Sequence, residues 1–181
     1  MEGGKFVTQY AFSFDVSRCS GCMACVVACQ DQNDFVAGET VAFRHVTKHE
    51  AGTYPEVHIA HLSLSCQHCG DAPCLMVCPM RAISRRPDDG VVLVDRNLCV
   101  GCHSCELACP FGAPKFPEDG KMSKCDLCHI RRDQGMKPAC VRVCPVQALD
   151  CGPIEELSRK KTEAASVRIL QSLVCIAREG A

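Results

Sequence analysis

Residues 95–114 read DRNLCVGCHSCELACPFGAP, and the spacing inside this stretch decides how the rest of the chain is read. Its cysteines, Cys99, Cys102, Cys105 and Cys109, are set C-x2-C-x2-C-x3-C, with Pro110 directly after. Working outward, the same spacing occurs at Cys19, Cys22, Cys25 and Cys29. Between the two, Cys66, Cys69, Cys74 and Cys78 widen the middle gap to four residues, and downstream Cys125, Cys128, Cys140 and Cys144 widen it to eleven. Every group ends in C-x3-C. Pro79, Pro110 and Pro145 follow the last three groups, and Gln30 stands in that place in the first.

Three thiols on one short loop can wrap a single metal–sulfur cube. Three residues on, about one helical turn, a fourth sulfur points away toward a neighbouring cube. This is the bacterial [4Fe–4S] run C-x2-C-x2-C-x3-C-P, whose fourth Cys ligates the other cluster of a pair. The proline fixes its own φ and withholds an N–H donor, which helps end each unit beside the cluster. Each group therefore needs a partner group, and four groups make two pairs. Zinc also uses C-x2-C pairs, but it does not need a third and fourth Cys in this string. Cys99–His103 and Cys125–His129 each match the haem-attachment pattern C-x-x-C-H, yet their cysteines already belong to iron–sulfur groups. A thioredoxin-like dithiol ranks lower still.

Composition narrows the field further. The chain has 181 residues, 20 basic and 21 acidic, so it lacks the basic excess of a nucleic-acid binder. Its 18 cysteines come with only 5% aromatic residues and no Trp, so packing needs help from disulfides or metal. Sixteen of the 18 lie in the tight groups, a distribution that converges on metal centres instead of stapling distant segments. Met1–Thr8 shows no basic start followed by an apolar stretch, so no export signal is expected, and the Arg85–Arg86 and Arg131–Arg132 pairs lie mid-chain. No apolar run reaches membrane-spanning length, and no transmembrane segment is expected.

Pattern along the chain predicts strands at Tyr10–Asp15, His58–Ser65 and Val91–Asp95, each ahead of a cysteine group. Asp88-Asp89-Gly90 is a hairpin signal. Short helices are expected at Ala24–Gln30 and Ser104–Cys109. The fold class is α+β: a ferredoxin-like unit of strand, cluster loop and short helix, duplicated, with an insertion and a C-terminal extension. Residues 31–57 read as the insertion and 154–181 as the extension. His45 and His49 in the insertion are read as exposed loop histidines and not as a metal pair. Ile154–Arg178 leans helical, with Leu157, Val167, Leu170, Leu173, Val174 and Ala177 near helical spacing, and is expected to pack across the clusters, the alternative being a face presented to a partner. The ungrouped Cys151 and Cys175 are read as small buried apolar residues.

Beyond the bare spacing, the order and flanks of the groups resemble one family, the four-cluster iron–sulfur electron-transfer subunits of molybdopterin oxidoreductases, particularly the B subunits of dimethyl sulfoxide, polysulfide and thiosulfate reductases. The resemblance begins at Thr8-Gln9-Tyr10 and runs through SRCSGCMACVVAC, CQHCGDAPCLMVCPMRAI, DRNLCVGCHSCELACPFGAP and KCDLC to PACVRVCPVQALDCGPIEEL, ending near residue 157. It implies the pairing that spacing leaves open: two interlocked ferredoxin-like 2[4Fe–4S] units, 8–30 plus 121–153 (groups one and four) and 58–120 (groups two and three). Cys19, Cys22 and Cys25 would share a cube with Cys144, and Cys125, Cys128 and Cys140 would share one with Cys29. Cys66, Cys69 and Cys74 would take Cys109, and Cys99, Cys102 and Cys105 would take Cys78. Some relatives replace the second Cys of group three and hold a [3Fe–4S] cluster; this chain keeps Cys102, so four [4Fe–4S] clusters are expected. By the same resemblance the Cys19 cluster faces a catalytic subunit, and the group two and three pair faces a quinone-linked membrane subunit or another donor.

The implied function is a non-catalytic electron relay bound to a large molybdenum- or tungsten-pterin catalytic subunit, with a membrane anchor subunit as a further partner. The alternatives are a free-standing polyferredoxin and a structural zinc protein. No isolated base, nucleophile or substrate pocket stands out. Four oxidised cubes would take the formal charge from −1 to about −9, so buried cations are expected nearby; Lys115, Lys124 and Arg142 adjoin the cysteine groups. The expected location is cytoplasmic or at the cytoplasmic side of a membrane, or periplasmic if a partner carries the export signal.

Overall fold

The computed structural model describes residues 8–35 and 42–179, with side chains to residue 171. The architecture is α+β, made of short pieces. Strand β1 (Tyr10–Phe14) leads through a single 3-10 turn at Val16–Arg18 into the first cysteine loop and α1 (Ala24–Gln32). A hairpin follows, β2 (His45–Thr53) and β3 (Glu56–Leu64). The second cysteine group carries α2 (Pro73–Met76), then β4 (Ile83–Arg85) and β5 (Val92–Val94) form a smaller hairpin ahead of α3 (Ser104–Ala108). The fourth group spans α4 (His129–Asp133) and α5 (Ala139–Arg142), and β6 (Leu149–Pro153) runs into the long α6 (Ile154–Glu179).

Prolines explain the helix lengths. Groups two, three and four are each cut short by the proline after the last Cys, leaving helices of four or five residues. Gln30 imposes no such break, and α1 continues past Cys29 for nine residues in all, two beyond its expected end. Three residues after each final Cys in these groups the chain turns through a positive φ, at Arg81, Gly112 and Gln147.

Strand pairing links sequence-distant segments. β1 pairs antiparallel with β6, Tyr10 opposite Pro153, so the two ends of the cysteine region lie side by side. β4 pairs with β5 around the Asp88–Gly90 turn, as the hairpin signal predicts. Helix α1 packs on α5, and α2 on α3. Each helix contact thus brings group one to group four, or group two to group three.

These segments are tied together by a buried polar knot. Asp89 on the β4–β5 turn pairs with Arg132 of α4 at 2.5 Å, both side chains under a tenth exposed. The Arg132 guanidinium lies 4.6 Å from the Tyr10 ring centre. Tyr10 N–H donates to Asp89 O at 3.0 Å, and Gln9 Nε2 donates to His68 O at 3.1 Å. Gly90 sits at φ +69°, where a Cβ would overlap the Gln9 side chain.

Among the described residues the apolar core is divided. Three small clusters form, each built partly of cysteines: Cys29, Phe43, Cys66, Ala113 and Cys125; Ala72, Ile83, Val92, Cys105 and Met122; and Cys25, Cys140, Val141 and Leu149.

Two expectations need correction. His45 and His49 lie on strand β2 and not in a loop, because β2 pairs along its whole length with β3 across residue 57, the expected end of the insertion. The C-terminal helix does not pack across the cysteine groups: among its described side chains only Leu157 is buried, and residues 158–171 are exposed. Between Leu157 and Val167 the sequence SRKKTEAAS offers no apolar side chain larger than alanine, so among the described side chains Leu157 alone is buried where the helix meets β6. Polar ties hold it further along, Lys160 to Asp150 at 3.5 Å and Arg168 to Asp15 at 3.4 Å. The side chains of Leu173, Val174, Cys175 and Ala177 lie outside the described residues, as does most of Met1–Thr8.

Candidate functional site

Every cysteine from Cys19 to Cys151 is a free thiol. The sixteen grouped ones line four small cavities. Cys19, Cys22, Cys25 and Cys144 line the first. Cys29, Cys125, Cys128 and Cys140 line the second. Cys66, Cys69, Cys74 and Cys109 line the third. Cys78, Cys99, Cys102 and Cys105 line the fourth. Each cavity draws three thiols from one group and the last thiol of another, the same sets that the family resemblance implies.

Local backbone makes each ring. In every group the residue before the second Cys takes a positive φ: Gly21, His68, Gly101 and Leu127. This turns the loop so that successive thiols face inward. At Gly21 glycine is required twice over, since a Cβ would also overlap the His61 ring. His68 and Leu127 hold a conformation that L residues rarely adopt, a local strain of the kind that collects at functional sites. After the second Cys, Met23 and His103 are again left-handed and start α1 and α3.

The cavities follow one another in a row. Cys25 and Cys144 of the first pack with Cys140 of the second. Cys29 and Cys125 of the second pack with Cys66 and Cys109 of the third. Cys69 and Cys74 of the third share a cluster with Cys78, Cys99 and Cys105 of the fourth. The first and fourth cavities form the ends, and there one thiol each, Cys22 and Cys102, is exposed.

The donor chemistry suits thiolates. Ala82 N–H and Ala148 N–H each donate to the sulfur four residues back, Cys78 and Cys144, at 3.3 Å. Met122 N–H donates to Cys99 Sγ at 3.3 Å and Leu127 N–H to Cys125 Sγ at 3.4 Å. Ser63 Oγ lies 3.5 Å from Cys25 Sγ. Burial opposes ionisation: it pushes the Cys29 thiol up to about 11, helped by Cys140, and Cys105 also to about 11. Cys125 is pushed well above the usual thiol range, again by burial. Cys102, at an exposed end, is instead lowered by its hydrogen bonds with Ser104. Thiols as buried as Cys125 bind as thiolates only where metal cations replace the protons, so loading metal releases protons. Thiols set in fours about each cavity, with inward N–H donors, fit a polynuclear iron–sulfur group; among the described residues no three His, Cys, Asp or Glu side chains converge on a single ion.

The chain's similarity to known proteins agrees. The family model for a 4Fe-4S dicluster domain matches residues 57–154, more than half of the chain, and that for a 4Fe-4S binding domain matches residues 16–34. The B chain of the anaerobic dimethyl sulfoxide reductase of Escherichia coli (strain K12) is 44% identical over 169 residues, covering 88% of this chain and 81% of that one. This protein belongs to the family of dimethyl sulfoxide reductase B chains, which are [4Fe–4S] electron-transfer subunits. Other relatives are the thiosulfate reductase electron transfer subunit of Salmonella typhi, 41% identical over 82% of this chain and 78% of its own, and the B subunit of the sulfite dehydrogenase of Allochromatium vinosum, 38% identical over 83% and 71%. Among the described residues no helix is long and apolar enough to cross a membrane.

Of the three cations adjoining the cysteine groups, Lys124 alone is buried. Its ammonium donates to Val92 O and to Cys125 O, and the residue lines the third cavity. Lys115 is half-buried and Arg142 is exposed. Two further groups lie outside what spacing predicts. Arg44, 2% exposed, lines the second cavity and donates to Ser63 Oγ at 3.1 Å and Ser65 Oγ at 2.8 Å. His68, also 2% exposed, lines the third cavity. Arg44 carries no sequence signal, standing far from any Cys. His68 carries one: it occupies the place taken by glycine in groups one and three. Cys151 packs half-buried beside Cys140, and burial pushes its thiol up to about 12, so its reading as an apolar filler agrees with its surroundings.

Proposed function

We propose that this chain is a four-cluster wire built of two interlocked ferredoxin-like units. Cys19, Cys22, Cys25 and Cys144 hold one [4Fe–4S] cube; Cys29, Cys125, Cys128 and Cys140 the next; Cys66, Cys69, Cys74 and Cys109 the third; and Cys78, Cys99, Cys102 and Cys105 the fourth. The observation that carries this reading is the set of four cavities, each lined by four cysteines from two groups. Such clusters supply one-electron carriers whose potentials, from about −700 to +450 mV, answer to hydrogen bonding and burial. The protein's own residues do the rest. They fix the four centres in a row, exclude water from the middle pair, and bring one thiol to the surface at either end.

The exposed ends set the partners. At the Cys22 end Met23 lines the cavity, with Val16 and Val27 in the adjoining 3-10 turn and α1; at the Cys102 end Met80 and Val100 line it, with Leu98 and Leu107 close to group-three cysteines in sequence, all well exposed. Apolar collars at both ends support permanent docking between two partners. The Cys22 end meets a molybdenum- or tungsten-pterin catalytic subunit, and the Cys102 end meets a quinone-linked membrane subunit or a soluble donor. The chain itself performs no substrate chemistry. Anaerobic purification of the native assembly, with metals and sulfide counted, tests this. The expected result is about 16 iron and 16 sulfide per chain, with molybdenum or tungsten in a co-purifying large subunit. Full iron without any partner would replace the reading with a free polyferredoxin, and zinc in place of iron would overturn it.

A further inference from the structure

Among the described residues, two buried side-chain polar atoms have no hydrogen-bond partner: Arg44 Nε and His68 Nε2. Their placement is not scattered. Arg44 lines the second cavity and His68 the third, the two interior members of the row. The other nitrogens of these side chains are accounted for. The Arg44 guanidinium is pinned by Ser63 and Ser65 and lies 4.5 Å from the Phe12 ring centre, which leaves Nε–H as its unspent nitrogen. His68 Nδ1 accepts from Val92 N–H at 3.2 Å, and an accepting Nδ1 puts the ring hydrogen on Nε2. A buried donor left unsatisfied loses its hydration with nothing in return. The fold keeps two of them, and keeps His68 in a left-handed conformation at φ +47° besides.

We propose that Arg44 Nε–H and His68 Nε2–H donate to sulfur of the two interior clusters and set their potentials above what burial alone would give. This rests on the four-cluster reading above. The physical logic follows from burial. Reduction adds negative charge, and a dry interior opposes that charge more than a wet end does. The end centres adjoin exposed thiols at Cys22 and Cys102, where water can share the load. Neither interior centre has an exposed thiol, Cys29, Cys125 and Cys140 being buried in the second and Cys66 in the third, so fixed protein donors must stand in for that water. A donor or cation aimed at sulfur stabilises the reduced form more than the oxidised one, and raises the potential. Arg44 brings a full charge, and His68 a neutral N–H set beside the buried ammonium of Lys124. Without them the two middle centres would form an electrostatic barrier between the ends. Arg44 and His68 are therefore positioning residues for electron flow, touching neither a catalytic subunit nor its substrate.

The test uses the chain in its native complex, purified without air, with iron counted and each cluster followed by EPR during a redox titration. Arg44→Met and His68→Met should keep the wild-type iron count and shift one interior cluster each. The reduction equilibrium of that cluster should fall about tenfold or more, which is about 59 mV for one electron. Arg44→Lys should recover part of the shift by restoring charge. His68→Gln, whose amide reaches the Nε2 position, should recover more than His68→Met, and both equally lose the bond to Val92. Unmoved potentials at full iron would overturn the proposal and leave the four-cluster reading standing. A wild-type chain that never carried four clusters would overturn both. Should a Met variant fail to assemble, side-chain 15N labelling of arginine or histidine in the unmodified complex decides. A hyperfine coupling to a reduced cluster that is lost in Arg44→Lys or His68→Asn sustains the assignment, and absence of such a coupling overturns it.

Discussion

The interior and the ends of the cysteine row are built from the same loops yet finished differently. All four loops turn through a positive φ before the second Cys. The end loops use glycine there, Gly21 and Gly101, and expose a thiol. The interior loops put His68 and Leu127 in the same strained place, both buried, and have Arg44 and Lys124 close by. What differs is the side chain that replaces solvent. An end can leave charge compensation to water and partners, whereas an interior site has to be given it by the chain.

The strongest way to break this comparison is to remove a ligand from each class. Cys125→Ala, in the interior, takes a thiol from the cluster that also contains Cys29, Phe43, Cys66 and Ala113, and should cost the whole chain its cooperative thermal transition. Cys22→Ala, at an exposed end, should leave a folded chain lacking only the iron of one cluster. Circular dichroism on heating and iron per chain measure both. Equal damage from the two would dissolve the distinction.

Next in size is the knot that holds the middle of the chain against its ends. Asp89→Ala strands Arg132, whose side chain is 9% exposed, and breaking a buried pair of this kind costs about 3–5 kcal/mol. Denaturant titration of the holo chain should show that loss. Asp119→Ala, which removes a surface partner of Arg96, should cost no more than about 1 kcal/mol.

A smaller effect sharpens the account of the end loop. Gly21→Ala places a Cβ at φ +71° against the His61 ring, while Gly112→Ala at φ +57° meets nothing. The left-handed penalty of about 1–2 kcal/mol applies to both, so Gly21→Ala should be the more destabilising, and His61→Ala should narrow the gap. An additive double variant would contradict the contact.

The smallest effect on stability falls on the collars. Leu107 is 89% exposed, and Leu107→Glu should move stability by no more than about 0.5 kcal/mol. It should nevertheless weaken docking of the partner at the Cys102 end, and Val27→Glu should do the same at the Cys22 end, each read by co-purification. Retained partners in both would remove the collars from the account.

Much of this molecule is legible in its cysteines because ligand spacing is a local property: three thiols on one loop are set by the few residues between them. The β1, β3 and β5 segments are legible for a similar reason, as alternating or β-branched runs beside those loops. Strand β2 is not. HVTKHEAGT is mostly polar, and it is the pairing with EVHIAHLSL, not its own pattern, that makes it a strand. The long helix shows the opposite error. Its periodic apolar positions are real, but they start again only at Val167, where the helix is tied to the fold by Arg168 and Asp15 while Val167 and Leu170 stay exposed. Arg44 is invisible in sequence because its meaning depends on Ser63, Ser65 and Phe12, brought to it by the β2–β3 hairpin and β1.

The central claim is the exchange of final cysteines between groups, and iron counts on paired variants test it most directly. Cys19 and Cys144 lie 125 residues apart in sequence yet line one cavity, while Cys125, in the same group as Cys144, lines the next. In chains purified without air, the Cys19→Ala, Cys144→Ala double variant should lose no more iron than either single variant, about four per chain. A double variant that loses twice that amount would place Cys19 and Cys144 on different clusters and contradict the account.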